Sequence, residues 1–585
     1  FKGELTLEGI KLCPDSVVFR DWERKDSLPS VYVTAEVGMV DFKGLNLTWR
    51  RSYKQLHFDS FEIRNPDIQV FNPYYSTRAE VKERKEAEIK TLYEVVSPYI
   101  NVLTVRMLNL ENASVSYSVE NPVSPIVYAL NDVSFHAYGF RLDENSSESG
   151  KLLYCDNFDF ITKRSQTLLA NNDFRLQTDR ILLSTEDSII SISNITLTPQ
   201  GELWGEQKKR PDSYLNALIR AIEVKGIQFR RENALNYLTA RSLDIISSDI
   251  QAFNLAGESL PSAKKTEKKS LNEAEADSLV RSLSLYELIS PVLHTVSIGT
   301  VGIGQAKLQY SFAVKDKIEV YKLANFDFQA NDFRIDSVSE TQRGFWYSRG
   351  FSFEATGIEG LMTARNHRFT VKRMTLDTES GDFNLERIRL YPLSVCGQND
   401  YMAGSIDTVG IRGLLYDKGI SARLLKIDRP NLRYVLFSSF NKKDVKSVKP
   451  ANSRVGVESI LNPFLRYFSV KRLSLNHAYV TIDDKSMSDP VTYKLNDFNF
   501  FATGIWVNRQ TGKGSGLFFD YGNMGFNFSR FDNYLPGKEY RLSVRKGQFS
   551  TVKGILEYRI SNCSHKIRWR RRQRHISGFL HRDFV

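Results

Sequence analysis

Apolar and polar residues alternate along most of the chain, the period of a β-strand with one wet face. Ala113, Val115 and Tyr117 point one way while Ser114 and Ser116 point the other. Turn signals interrupt the alternation at Asn65-Pro66, Asp143-Glu144-Asn145, Asn171-Asn172-Asp173, Arg231-Glu232-Asn233 and Gln510-Thr511-Gly512-Lys513-Gly514. Three stretches change to a helical period. Ile89, Leu92, Tyr93 and Val96 have the spacing of one helix face before Ser97-Pro98. Leu279, Leu283 and Tyr286 precede Ser290-Pro291 in the same way, and Val457, Ile460 and Leu461 precede Asn462-Pro463. A charged stretch comes just before each, at 78–90, 264–277 and 442–454.

The pattern repeats. Lys43-Gly44-Leu45-Asn46-Leu47 aligns with Lys225-Gly226-Ile227-Gln228-Phe229, 182 positions on. The same offset carries Ile63 to Phe71 onto Ile245 to Phe253, and again onto Ile427 to Val435. A second block, Leu108 to Tyr117, matches Val301 to Tyr310 after 193 positions and Leu473 to Ile482 after a further 172. Loop length accounts for the unequal offsets. From Phe71 to Ser97 is 26 positions, from Phe253 to Ser290 is 37, and from Val435 to Asn462 is 27. Each second block leads into an aromatic alternating run: Val133-Ser134-Phe135, Phe326-Asp327-Phe328 and Phe498-Asn499-Phe500.

These observations predict a mainly β fold: an elongated, twisted antiparallel β-sheet groove built from about three tandem repeats, each with one short helix. The repeats span 1–200, 201–393 and 394–562, with a basic tail at 563–585 expected to be disordered or artefactual. A sheet with one apolar face must cover that face. One helix per unit covers only part of it, so a partly open or ligand-filled trough is expected.

Composition agrees with β structure: 37 Phe, 27 Tyr and 6 Trp in 585 residues. No apolar run approaches the ~20 residues of a membrane-spanning helix. The chain begins at Phe1 directly in strand-like sequence and is expected to be a piece of a longer protein. Cys13, Cys155, Cys396 and Cys563 lie far apart without a CxxC, which argues against a disulfide scaffold or a cysteine zinc site. The net charge of +12 resembles a nucleic-acid footprint, but Lys566, Arg568, Arg570, Arg571, Arg572, Arg574 and Arg582 against Asp583 supply +6 from the last 20 residues. The other 565 supply the remaining +6, too little for such a footprint.

Catalytic constellations are scarce. His57, His136, His294, His367, His477, His565, His575 and His581 form no HxxxH or HExxH. Gly299-Thr300-Val301-Gly302-Ile303-Gly304 resembles a phosphate loop but sits inside a strand-like repeat with no helix after it. Asp483-Asp484 reads as turn chemistry. No catalytic residue, metal ligand or cofactor is assigned, and a non-enzymatic protein is expected. The candidate site is the apolar stripe of the second block: Leu108, Leu110, Val115 and Tyr117; Val301, Ile303, Leu308 and Tyr310; Leu473, Leu475, Val480 and Ile482. Closed core packing explains such a stripe, and so does a lining for acyl chains, whose burial contributes ~0.8 kcal/mol per CH₂ without any polar motif.

The chain resembles the AsmA-like and TamB-like envelope proteins, and more loosely the bridge-like lipid transfer proteins built from repeating β-grooves. The resemblance lies in the run 31–71, ending Phe61-Glu62-Ile63-Arg64-Asn65-Pro66-Asp67-Ile68-Gln69-Val70, and its counterpart Leu425-Lys426-Ile427-Asp428-Arg429-Pro430-Asn431-Leu432. A polar loop, a helix and a strand pair turning at Asn112-Ala113, Gln305-Ala306 or His477-Ala478 follow. The resemblance covers most of residues 1–560. It implies an inner-membrane anchor preceding the chain, residence in the periplasm of a Gram-negative cell envelope, phospholipid acyl chains and the inner or outer membrane as partners, no specific nucleic acid, and a role in phospholipid transfer or outer-membrane assembly. Two other readings stay open: a structural or adhesive β-repeat protein with a closed core and no lipid, and a β-rich carbohydrate-processing enzyme, which would need a facing carboxylate pair.

Overall fold

The computed structural model describes residues 3–15, 19–20, 32–50, 53–72, 93, 96–119, 126–146, 151–169, 174–199, 213–232, 235–254, 293–314, 317–342, 347–363, 366–394, 400–416, 420–437, 467–485, 490–508, 522–534, 541–552, 555–560 and 563–568. The protein is mainly β, and its described residues form a large mixed sheet of 28 strands. They are β1 (Gly3–Leu12), β2 (Tyr32–Arg50), β3 (Tyr53–Asn72), β4 (Val102–Val119), β5 (Ile126–Leu142), β6 (Asn157–Leu169), β7 (Phe174–Thr178), β8 (Arg180–Ser184), β9 (Ile189–Pro199), β10 (Ser213–Lys225), β11 (Gln228–Glu232), β12 (Leu235–Asn254), β13 (Thr295–Val314) and β14 (Lys317–Ile335). There follow β15 (Gly350–Met362), β16 (His367–Asp377), β17 (Asp382–Pro392), β18 (Tyr401–Arg412), β19 (Leu415–Tyr416), β20 (Ile420–Asp428), β21 (Asn431–Leu436), β22 (Tyr467–Asp484), β23 (Val491–Asn508), β24 (Asn523–Phe528), β25 (Arg530–Tyr534), β26 (Arg541–Ser550), β27 (Ile555–Ile560) and β28 (Cys563–Arg568). The chain divides into two compact units, one of Phe1–Phe312 with Phe326–Gly350, the other of Ala313–Asn325 with Phe351–Val585.

Within each unit, strands pair with their neighbours in sequence. Three long hairpins recur: β2 with β3, β10–β11 with β12, and β18–β19 with β20–β21. The next strand then pairs parallel, not antiparallel as the sequence predicts: β3 with β4, β12 with β13, and β20–β21 with β22. Antiparallel neighbours can be joined by a two-residue turn, whereas parallel pairing needs a connection of a dozen or more residues, and 29, 40 and 30 residues separate these strands. Ile63 pairs with Leu110, Ile245 with Ile303 and Ile427 with Leu475, so the two sequence blocks share one register at all three places.

Other bonds recur at similar spacing. The Phe158 amide donates to Thr185 Oγ1 at 2.7 Å, the Phe351 amide to Thr378 Oγ1 at 2.8 Å, and the Met524 amide to Thr551 Oγ1 at 2.9 Å. The threonine thereby satisfies a backbone donor where the ladder stops.

Several local expectations are corrected. Asn65-Pro66 does not end a strand: Asn65, at φ 52, is a kink inside β3. Nor does the second block turn at Asn112, Gln305 or His477; β4, β13 and β22 run straight through them. Asp483-Asp484 closes β22, where Asp483 accepts hydrogen bonds from Arg433 Nε at 2.6 Å and Thr492 Oγ1 at 2.7 Å. The sheet extends into the tail, since Cys563–Arg568 pairs antiparallel with β27. Of the expected helices, Tyr93 and Val96 are helical and the Ser97 amide donates to the Tyr93 carbonyl. The other two, at 279–286 and 457–461, lie outside the described residues, as do the turns at 171–173 and 510–514. A helix not anticipated, α1 (Ser337–Gln342), starts where Asp336 Oδ1 accepts the Val338 and Ser339 amides.

Candidate functional site

The candidate residues stand on β4, β13 and β22, and each strand carries its apolar positions in three out-of-phase segments. On β4 these are Leu103 and Val105, then Leu108 and Leu110, then Ala113, Val115 and Tyr117. On β13 they are Val296 and Ile298, then Val301 and Ile303, then Ala306, Leu308 and Tyr310. On β22 they are Phe468 and Val470, then Leu473 and Leu475, then Ala478, Val480 and Ile482. Strict alternation would send successive segments to opposite faces. One extra residue at each junction corrects the phase.

The second junction is a β-bulge. Leu110 pairs with Phe135 and Ala113 with Val133, so β4 spends three positions where β5 spends two. The extra residue is Asn112, at φ 53. Gln305 (φ 56) and His477 (φ 54) hold the same place in β13 and β22. Asp132 on β5 and Asp497 on β23, both at positive φ, return the register on the facing strands. Asparagine and aspartate tolerate this left-handed conformation at little cost. Polar bonds fasten the line of bulges: the Gln305 amide donates to Asp327 Oδ1 and the His477 amide to Asn499 Oδ1, each at 2.9 Å. His477 Nδ1 is 2.8 Å from Asp497 Oδ1. That contact and the Ser529 hydroxyl hold the Asp497 carboxyl below the usual carboxylate range, the hydroxyl contributing most.

Side-chain packing confirms that the segments share a face. Leu108, Phe135 and Phe140 pack against a buried cluster of Ala137, Cys155 and Phe158. Val301 packs with Ala240, Val296, Ile298 and Ile335. Leu473 packs with Ala422, Val470, Ala502 and Ile505. Each cluster joins side chains of neighbouring strands from both sides of a phase change. The other candidates lie along the same strands. Tyr117 faces Tyr128 with ring centroids 6.1 Å apart, and Tyr310 stacks on Phe312 at 5.3 Å.

Eleven of the twelve candidate residues are half-buried, and Tyr310 is 44% exposed. Full burial on this face is reached by small side chains such as Ala113, Ala306 and Ala478, by the larger Phe158, Ile335 and Ile505, and by the Val105, Ile298 and Val470 row. The candidate residues beside them keep part of their surface accessible. Sequence reasoning missed that row, and it missed Phe135 and Phe500, which pair with Leu110 and Leu475. The repeated aromatic runs that contain both were the available signal.

Charged groups elsewhere are mostly structural. Burial raises the Asp143 and Asp336 carboxyls, but Arg141 and Ser146 for the first, and the Ser339 amide and Arg334 for the second, outweigh it and leave both below the usual range. Burial pushes the Cys155 thiol up to about 11, which leaves it protonated and unreactive near neutral pH. Among the described residues no group of His, Cys, Asp and Glu could hold a metal ion. No described helix is long and apolar enough to cross a membrane. A cavity of about 740 Å³ lies by the β10–β11 break, lined by Ser188, Lys225, Gly226, Thr239, Ala240 and Arg241 among others. Glu223 pairs with its Lys225 at 2.7 Å.

No known protein family and no curated protein matches the sequence. One solved structure, of the sex pheromone staph-cAM373 precursor, is similar at 10% identity over 55% of this chain and 81% of that one. Its TM-score of 0.11 is too low to assign a fold.

Proposed function

We propose that the chain is a non-enzymatic lipid-binding protein whose three tandem β-units form a groove for phospholipid acyl chains. The observation that carries this is the half-buried apolar face, kept in phase across the bulges of β4, β13 and β22. Acyl chains complete the burial of that face while headgroups stay in water. Burying one long chain contributes on the order of 10 kcal/mol before ordering costs, so no catalytic or coordinating residue is needed. The positive-φ residues support the groove, because kinks at matching places on neighbouring strands bend a sheet along one line. The resemblance to AsmA-like and TamB-like proteins supports a place in a Gram-negative envelope, facing the periplasm, in phospholipid transfer or outer-membrane assembly.

Purification of the chain without harsh detergent, followed by native mass spectrometry and solvent extraction, tests the reading. Several phospholipids per chain are expected. A chain that is folded and free of lipid would favour the structural or adhesive alternative.

A further inference from the structure

The cavity by the β10–β11 break lies on the face of the sheet turned away from the candidate residues. Val224, Ile227, Leu238 and Leu243 pack on the same buried cluster as Val301, and Ala240 belongs to it. Lys225, Gly226, Gln228, Thr239 and Arg241 are their strand neighbours, so alternation puts them on the other side, where they line the cavity of about 740 Å³. One row of residues crosses it. Lys225 pairs with Ile189 and Ser242, and Gln228 with Thr239, which sets Ser188, Gly226 and Arg241 side by side. Ala240 pairs with Ile298 and Ser242 with Thr300, so the neighbour of Arg241 on β13 is Gly299. Gly226, at φ 67, lets the Arg241 side chain lie over it: a Cβ there would sit 2.9 Å from Arg241 Cβ and 3.4 Å from its Nε. A Cβ on Gly299 would come within 2.8 Å of the Arg241 carbonyl oxygen. Arg241 thus has a glycine on either side. It is exposed, and its side chain makes no ion pair or hydrogen bond among the described residues.

Positions related by the repeat offsets sharpen the point. The offset of 182 carries Gly44 onto Gly226 and Asp59 onto Arg241, and the offset of 193 carries Arg106 onto Gly299. At the earlier place the two side chains answer each other, with Arg106 Nε 3.6 Å from Asp59 Oδ1. At the later one the first partner is a cation and the second has no side chain. Lys225, diagonal to Arg241, brings another cation, in contact with Glu223 at 2.7 Å. Ser188 and Thr239 add hydroxyls to the lining, and Asp187, exposed beside Ser188, adds a carboxylate on the β8–β9 side. A guanidinium takes two oxygens of a phosphate at once, and an ammonium takes a third as a point charge. The carboxylate accepts hydroxyls and repels a second anionic group. The volume is that of a site for a small molecule.

We infer that this cavity binds a small polyol phosphate monoester, its phosphate on Arg241 and Lys225 and its hydroxyls toward Asp187. The site lies on the opposite face from the acyl lining and stands without it. The full chain is titrated calorimetrically with glycerol 3-phosphate. Inorganic phosphate, acetate and glycerophosphoglycerol, a diester like that of a lipid headgroup, are titrated in parallel. Glycerol 3-phosphate should bind most tightly of the four. Arg241→Gln is expected to weaken it about tenfold or more, through the loss of charged hydrogen bonds. Arg241→Lys, which keeps the charge but not the fork, should fall between the two. Arg220→Gln removes an exposed charge on β10 outside the cavity lining and should leave binding unchanged. A thermal melt confirms that each variant is folded. No binding of glycerol 3-phosphate by the folded wild type, or equal losses from Arg241→Gln and Arg220→Gln, would overturn the site. Inorganic phosphate or acetate binding as tightly would overturn the polyol ester. Glycerophosphoglycerol binding as tightly would give the site to a lipid headgroup and overturn the free monoester.

Discussion

Replacing Val301, Ile303 and Leu308 together by Asp should strip bound lipid from the chain and weaken a long-chain acyl probe about tenfold or more. The three side chains are half-buried on the apolar face of β13. Each therefore keeps at most about a third of its surface to give a ligand, worth about 0.5 kcal/mol, or about 1.5 kcal/mol together. At 1.4 kcal/mol per decade this is about tenfold, before the cost of drying three carboxylates. Ser297 and Gln309 lie on the other face of the same strand, so replacing them by Asp should leave binding unchanged. Fluorescence titration of both variants, with a thermal melt to confirm folding, provides the comparison. Equal effects from the two faces would remove the assignment of the apolar face to ligand.

Deleting Gln305 should unfold the first unit's sheet around β13, whereas Gln305→Gly should be nearly silent. The bulge residue keeps Ala306, Leu308 and Tyr310 in phase with Val301 and Ile303. Without it every later side chain on the strand changes face. Lys307 and Gln309 then enter the apolar side, and Leu308 and Tyr310 leave it. The expected result is a melting temperature lower by more than about 10 °C, or loss of a cooperative transition. Glycine adopts φ 56 without strain, and the Gln305 amide still donates to Asp327, so the substitution should change stability by less than about 1 kcal/mol. A deletion tolerated as well as the glycine would mean that phase does not hold this face together.

Strand content was legible because alternation is a local property. The bulges were half legible. The step from Leu110 to Ala113 breaks period two, and so do Ile303 to Ala306 and Leu475 to Ala478, but a polar residue at the break reads equally as a turn. Only pairing with the facing strand decides between them. Parallel pairing was not legible, since a loop's length does not say which way the strand returns. That gap hid Gly299 beside Arg241, whose sequence separation of 58 gives no hint of contact. The three threonine clasps span 27 positions each and carry no motif. The twelve candidate residues lie on β4, β13 and β22, eleven of them half-buried, and alternation alone does not say what covers the rest of their surface.

The central claim, that this face is an acyl lining, is tested most directly by photocrosslinking. The purified chain is loaded with a phospholipid bearing a diazirine in its acyl chain, illuminated, digested and mapped by mass spectrometry. Adducts should concentrate on Leu108, Leu110, Val301, Ile303, Leu473 and Leu475 and spare Ser114, Ser116, Ser297 and Gln309. Adducts spread evenly over both faces, or absent from a folded and loaded chain, would contradict it.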